Sequence, residues 1–267
     1  QDVGSLESLR PYVEEAMASA SDSVVPHIIM ARLELAIGRP DEAISVVDAA
    51  STTFDGNPDL DRLRGLALIA KGDFQAALRS LMTAAAAAPN NAGIQFDLAQ
   101  AQLANEYYDA ARGTATVFCE LMPDDVRCPI LLGDVELAQG NGAAALRHFE
   151  VAAESVMNRT IVIRLARAHS VAGTGQADRP LVNWLREHPD DNDVRIMLAR
   201  ILESEGKLPE AISEYEALLA AGELDAVGMN NLAWQYSLQG DGRAVEVAEQ
   251  AHALAPSNAS ITDTLGW

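Results

Sequence analysis

The sequence has few cysteines, histidines, aromatic residues and basic residues, and it lacks a long apolar run. Its 267 residues include two cysteines, five histidines and 5% aromatics, and 19 basic residues stand against 39 acidic ones. No apolar run approaches the roughly 18–20 residues that cross a bilayer. The opening QDVGSLESL has neither the basic region nor the apolar core of a signal peptide. A net charge of −20 repels nucleic acid and anionic lipid surfaces, so we expect no nucleic-acid partner. Because no apolar run is long enough, we also expect no transmembrane segment.

Catalytic and metal-binding patterns are also missing. The histidines lack the i, i+4 spacing and the carboxylate partner of a zinc site, and they are His27, His148, His169, His188 and His252. There is no G-x-S-x-G nucleophile elbow, and AGTGQAD lacks the frame and the lysine of a phosphate-binding loop. We therefore expect no catalytic residues, no metal and no cofactor, and a protein that is not an enzyme.

The sequence does contain an internal repeat of about 34 residues. Alanines in one setting recur at intervals of 34, 34, 34, 66 and 33 residues, and the interval of 66 spans two repeats. A glycine precedes most of them by five residues, although Gly240 is four residues before its alanine and Glu106 replaces the glycine in one copy. The alanines are Ala43, Ala77, Ala111, Ala145, Ala211 and Ala244, and the other glycines are Gly38, Gly72, Gly140 and Gly206.

Each copy has the pattern of two helices joined by a tight turn. In the second copy we predict helices over about 58–71 and 74–88, with Gly72 supplying the left-handed turn. Because the helices cross just after this turn, a large side chain at Ala77 would push them apart. One pair cannot bury both of its apolar faces, so pairs must stack on one another. The sequence therefore predicts an all-α solenoid.

These features resemble the tetratricopeptide repeat (TPR). Small residues stand at the eighth repeat position, at Ala31, Gly65, Ala99, Gly133, Ala199 and Ala233, and Pro89, Pro123, Pro189 and Pro256 close several copies. The resemblance implies a right-handed superhelix of antiparallel helix pairs. It implies seven repeats, at 24–57, 58–91, 92–125, 126–158, 159–191, 192–225 and 226–257. Residues 1–23 would form the trailing helix of a preceding repeat, and residues 258–267 would start a truncated eighth. The fifth copy is the most divergent.

A narrower resemblance lies near the C-terminus. NNLAWQYSLQGD and AVEVAEQAHALAPSNASITDTLGW are similar to the ends of bacterial TPR lipoproteins that are associated with PEP-CTERM/exosortase and exopolysaccharide gene clusters. This resemblance implies a periplasmic protein that is anchored to the outer membrane by a lipid on a cysteine upstream of residue 1. The alternative is a cytoplasmic protein.

The two cysteines bear on that choice. In stacked TPRs, Cys119 near the end of one second helix and Cys128 near the start of the next first helix would be neighbours, so a disulfide is geometrically feasible. In an exported protein the bridge would form. In the cytosol both residues would be small buried hydrophobes.

In TPR proteins the first helices line a concave groove, and here this groove would hold the partner. The stretch from Arg159 to Arg200 carries seven arginines against five acids in an otherwise acidic chain. We predict that the groove residues Arg164, Arg167, Arg200, Asn230, Asn231 and Trp234 receive a protein or peptide, with the arginines and asparagines binding a carboxylate or an acidic segment. The alternative is that the arginines are solvated and pair with neighbouring acids.

The resulting hypothesis is a non-enzymatic TPR scaffold for protein–protein interactions in exopolysaccharide production or surface protein sorting. Two other hypotheses remain open at this point. One is a cytosolic peptide-binding adaptor. The other is the recruiting arm of an enzyme whose catalytic domain lies outside this sequence.

Overall fold

The computed structural model describes residues 3–266, and every regular element in that range is an α-helix. Residues 1, 2 and 267 lie outside the described residues. They are the ends of the predicted ranges 1–23 and 258–267. The chain divides into two compact units, Gln1–Gln139 and Gly140–Trp267. The expected all-α array of helix pairs is therefore confirmed.

The first unit is built from nine helices in its described residues. They are α1 (Val3–Glu7), α2 (Arg10–Ser19), α3 (Val25–Ala36), α4 (Pro40–Ser51), α5 (Pro58–Ala70), α6 (Phe74–Ala87), α7 (Ala92–Ala104), α8 (Tyr108–Leu121) and α9 (Arg127–Ala138). From α2 onwards each helix packs against the next one, and the odd-numbered helices from α1 to α9 also contact one another in sequence. This pattern is that of stacked helical hairpins.

The second unit is also a series of helices that pack consecutively. Its helices are α10 (Gly142–Ser155), α11 (Arg159–Val171), α12 (Asp178–Glu187), α13 (Asn192–Ser204), α14 (Leu208–Ala220), α15 (Ala226–Leu238), α16 (Arg243–Leu254) and α17 (Ala259–Leu265). Each helix packs against its successor. A buried cluster holds α13 to α17 together around Tyr215, Leu218, Leu232 and Tyr236.

The second predicted copy shows why these residues form helices. The Asn57 side chain caps α5 by accepting from the backbone N–H groups of Asp59 and Leu60, and Pro58 fits the first helical turn. Asp73 caps α6 in the same way, through the N–H of Ala76. The observed helices end one residue before the predicted 58–71 and 74–88.

Small residues stand where the helices of a pair cross. Five of the six repeat alanines have no exposed surface, and they are Ala43, Ala77, Ala111, Ala145 and Ala211. Ala244, which follows its glycine by four residues instead of five, is only partly buried. At Gly65 of α5 an added Cβ would lie 2.6 Å from Cγ of Leu81 in α6. Close helix crossing, as predicted, is therefore the reason for these small side chains.

The turn glycines serve the backbone and not the packing. Gly72 has φ +81°, and nothing lies within 4 Å of the position where its Cβ would be. Glu106, which replaces glycine in the third copy, adopts the same left-handed region with φ 63°. This copy therefore keeps the turn at the steric cost of a side chain, about 1–2 kcal/mol.

The N-terminal segment differs from the expected single helix. It forms two helices, α1 and α2, because Pro11 in the first turn of α2 cannot donate to the carbonyl of residue 7 and its ring clashes with that carbonyl. Arg10 ties α2 to α3 through an ion pair of 2.6 Å with the buried carboxylate of Glu34. The assignment of residues 1–23 to a preceding repeat stays a prediction.

The fifth predicted copy has a longer turn and a shorter second helix than its neighbours. Residues 172–177 separate α11 from α12, whereas residues 71–73 suffice between α5 and α6. Gly173 and Gly175 both have positive φ in this turn, a conformation that glycine adopts without steric cost. Ala177 occupies the buried alanine position, and α12 has 10 residues. The divergent sequence of this copy therefore alters the geometry of one hairpin.

Candidate functional site

Three successive first helices of the second unit expose equivalent side chains. The ninth positions of the predicted repeats at 159, 192 and 226 are Arg167 in α11, Arg200 in α13 and Trp234 in α15, and all three are exposed. Trp234 is 39% exposed to solvent. We call the surface formed by α11, α13 and α15 the first-helix face.

Ion pairs and hydrogen bonds join these three helices. Arg159 at the start of α11 pairs with Asp193 of α13 at 3.0 Å. Arg200 of α13 lies 3.7 Å from Asp225, the N-cap residue of α15. Since both members of the second pair are about half exposed, this pair contributes little to stability. Arg167 makes no ion pair with a described residue. Two exposed guanidinium groups are therefore available on this face.

The other predicted residues are more buried. Arg164 of α11 is half-buried. Asn230 of α15 is half-buried, and its Oδ1 is shielded from solvent and has no hydrogen-bond partner among the described residues. Because this oxygen is shielded from solvent, it is not accessible to a partner protein either.

Asn231 makes hydrogen bonds that the repeat pattern does not predict. Its amide donates to the carboxylate of Glu203 in α13 and to the hydroxyl of Tyr215 in α14, both at 3.3 Å. Tyr215 and Gln235 also donate to Glu203, at 3.0 and 2.9 Å. Glu203 thus holds α13, α14 and α15 together through three neutral donors.

Burial and the Glu203 carboxylate both act on Tyr215. The side chain of Tyr215 is fully buried, and burial is the largest cause that raises the pKa of its hydroxyl to about 12. Asn231 opposes this shift, whereas Glu203 adds to it. The hydroxyl is therefore a permanent donor at neutral pH. Glu203 and Asn231 meet only because α13 and α15 lie close together in the folded chain. No local sequence motif predicts this hydrogen bond.

Comparison with known proteins identifies the family. The tetratricopeptide repeat model matches residues 30–92, 62–125 and 181–226, which together make up more than half of the chain. This chain is a member of the TPR family. No curated protein matches it.

Solved structures share the fold. A TPR protein from Parabacteroides merdae is 17% identical with a TM-score of 0.66, over 95% of this chain and 97% of that one. The C-terminal part of a TPR protein from Cytophaga hutchinsonii is 16% identical with a TM-score of 0.67, over 89% and 99%. A chain of the APC/C hetero-tetramer Cut9–Hcn1 is 12% identical with a TM-score of 0.64, over 98% and 52%. At these identities the likeness concerns the fold alone.

The first unit of this TPR protein contains a disulfide. Cys119 near the end of α8 and Cys128 in the first turn of α9 are joined with an S–S distance of 2.05 Å. Next to it, the guanidinium of Arg127 lies over the rings of Phe96 and Phe118, 4.9 and 5.3 Å from their centroids. The bridge and the stacked arginine together fix the turn between α8 and α9.

Residues 3–266 lack two further features, a metal-ligand cluster and a helix that could cross a bilayer. No group of three or more His, Cys, Asp or Glu residues in this range could hold a metal ion. None of the described helices combines the length and the apolar character that a bilayer crossing requires.

Proposed function

We propose that this TPR protein is a non-enzymatic scaffold whose first-helix face binds an acidic segment of a partner protein. The single observation that carries the proposal is the row of exposed side chains at equivalent positions, Arg167, Arg200 and Trp234. Guanidinium groups bind carboxylates in bidentate geometry, and an exposed indole provides apolar contact area at a small entropic cost. A row of such groups along stacked helices suits an extended segment.

The charge of the chain favours binding at this face. An acidic partner is repelled by most of a molecule with a net charge of −20, so productive contact is restricted to places where arginines are exposed. The pair between Arg200 and Asp225 is long and solvated, so a partner carboxylate can displace Asp225 at little cost.

We expect removal of the two exposed arginines to weaken the binding of an acidic peptide. The probe is an acetylated glutamate–alanine hexapeptide, measured by calorimetry at low ionic strength. The Arg167→Ala/Arg200→Ala variant should bind it about tenfold more weakly, because two charge-assisted contacts are lost. Arg79→Ala, which removes an exposed arginine from the second helix α6, serves as the control and should not change the affinity. Equal affinity of all three proteins would exclude this face.

We also propose that the protein works outside the cytoplasm, in exopolysaccharide production or the associated surface protein sorting, attached to the outer membrane by a lipid upstream of residue 1. The resemblance of NNLAW and DTLGW to lipoproteins of those systems supports this setting, and so does the bridge between Cys119 and Cys128. Disulfides persist in oxidising compartments and are rare in the cytosol.

The redox state of the cysteines in cells tests this setting. Protein extracted under acid quench and treated with an alkylating reagent should show no mass increase at Cys119 or Cys128, because both sulfurs are in the bridge. Reduction before alkylation is the positive control and should label both residues. Labelling without prior reduction would instead support a cytosolic adaptor.

A further inference from the structure

The fifth hairpin contains a pocket that lies apart from the predicted groove residues. It has a volume of about 370 Å³ and is lined by Val162 and Leu165 of α11, by Pro180 and Trp184 of α12, and by Met157 before α11. Ligand pockets occupy about 300–1,000 Å³, and a cavity of about 150 Å³ is enough for a benzene ring. The pocket therefore has room for one aromatic side chain and a neighbouring polar group.

Hydrogen bonds hold the indole of Trp184 in place. Its Nε1 donates to Oδ2 of Asp191 at 2.8 Å, and its ring lies 3.8 Å from the ring of His188, centroid to centroid. Asp191 is itself fixed, because it caps α13 through the N–H of Val194 and pairs with Arg159 at 2.8 Å. A pocket side chain that is already ordered in the free protein reduces the entropic cost of binding a ligand. Trp184 thus provides a rigid aromatic surface for offset or edge-to-face contact.

The rim of the pocket is positively charged at one end. Arg179 donates through Nη1 to Gln176 of the long turn at 3.1 Å and makes no ion pair with a described residue. The neighbouring acid Asp178 is already paired with Lys207 at 2.7 Å. Glu187 also lines the pocket, but it lies about 12 Å from Arg179 along the axis of α12. A carboxylate that enters beside Arg179 therefore meets an unpaired guanidinium group.

We propose that this pocket binds an aromatic side chain of a partner protein that has a carboxylate on the neighbouring residue. The ring fills the space against Trp184, Val162 and Leu165, and the carboxylate binds Arg179. The pocket is a second site beside the first-helix face, and it shares with the proposed function only the premise that the partner is a protein.

Two-dimensional NMR of the ¹⁵N-labelled chain with small peptides tests the pocket. The probe Ac-Phe-Glu-NH₂ should shift the indole N–H signal of Trp184 and the amide signals of α11 and α12. Ac-Phe-Gln-NH₂, which lacks the carboxylate, should bind about tenfold more weakly. Ac-Ala-Glu-NH₂, which lacks the ring, should cause no shifts at the same concentration.

Two variants test the role of Arg179. Arg179→Gln should abolish the difference in affinity between Ac-Phe-Glu-NH₂ and Ac-Phe-Gln-NH₂. Arg147→Gln, an equal change of charge at an exposed site of α10, should preserve that difference. No shifts in α11 and α12 at about 10 mM peptide, a range set by the weak binding of fragment-sized ligands, would overturn the proposal. Equal affinity of the Glu and Gln peptides would overturn it as well. Failure of the pocket leaves the hexapeptide result at the first-helix face unaffected, so the two proposals fail separately.

Discussion

Replacing Gly142 by alanine should destabilise the second unit by about 3 kcal/mol or more, because the new methyl group meets the backbone of the next helix. An added Cβ at Gly142 would lie 2.3 Å from the backbone nitrogen of Ala172 and 2.8 Å from the carbonyl oxygen of Ala168. These atoms belong to the end of α11 and its C-cap. Backbone atoms cannot rotate away as a flexible side chain can, so α10 and α11 would have to separate.

Gly113 provides a matched control for this prediction. Gly113 is a helical glycine of α8 with no atom within 4 Å of the position where its Cβ would be. Gly113→Ala should therefore stabilise the chain by about 0.5–1 kcal/mol, the ordinary gain from removing an exposed helical glycine. Urea titrations of both variants give the two free energies of unfolding. Stabilisation by Gly142→Ala would contradict the close approach of α10 and α11.

Asp191→Ala is expected to cost about 2–4 kcal/mol of unfolding free energy, because one buried carboxylate serves three donors. The substitution removes the cap of α13, leaves the indole N–H of Trp184 without its acceptor and breaks the pair with Arg159. Asp193→Ala is the control on the same helix. Asp193 also pairs with Arg159, but its side chain is 78% exposed, so its loss should cost no more than about 0.5 kcal/mol.

The contribution of Asp191 to the free energy of unfolding should depend on pH. Burial raises the pKa of Asp191, but the hydrogen bonds from Trp184, Arg159 and the N–H of Val194 outweigh burial, and the net pKa is lowered. A carboxyl whose pKa is lower in the folded state stabilises the protein above its unfolded pKa of about 3.9, and this contribution is lost as pH falls through the folded pKa. The difference in unfolding free energy between wild type and Asp191→Ala should therefore be largest near neutral pH and shrink below about pH 4. A difference that is unchanged or larger in acid would contradict the assigned hydrogen bonds.

The local features of the fold could be predicted because they are encoded within one repeat. Gly72 fixes a left-handed turn, Ala77 fixes a helix crossing and Pro58 fits a first helical turn, and each acts through neighbours in sequence. The break before α2 was not predicted, because the repeat pattern assigns one trailing helix to this segment and takes no account of Pro11.

The site was only partly predictable, because some of its contacts join residues of different repeats. Exposed Arg167 and Arg200 follow from repeat position, since equivalent positions of stacked first helices face the same way. The contact from Asn231 to Glu203 joins residues 28 positions apart, and it depends on side-chain geometry that a repeat pattern does not specify. Trp184 lies in the most divergent copy, where the family pattern gives no assignment. Asp191 did have a local signal, because an acidic residue three positions before Val194 is typical of an N-cap.

The most direct test of the central claim is to map where an acidic peptide contacts the chain. Amide hydrogen exchange of the wild-type protein should be measured without the glutamate–alanine hexapeptide and with it at a concentration near its dissociation constant for the wild type. The account predicts slower exchange in α11, α13 and α15, with the second helices α12, α14 and α16 unchanged. Protection confined to the second helices, or protection that persists in the Arg167→Ala/Arg200→Ala variant, would contradict it.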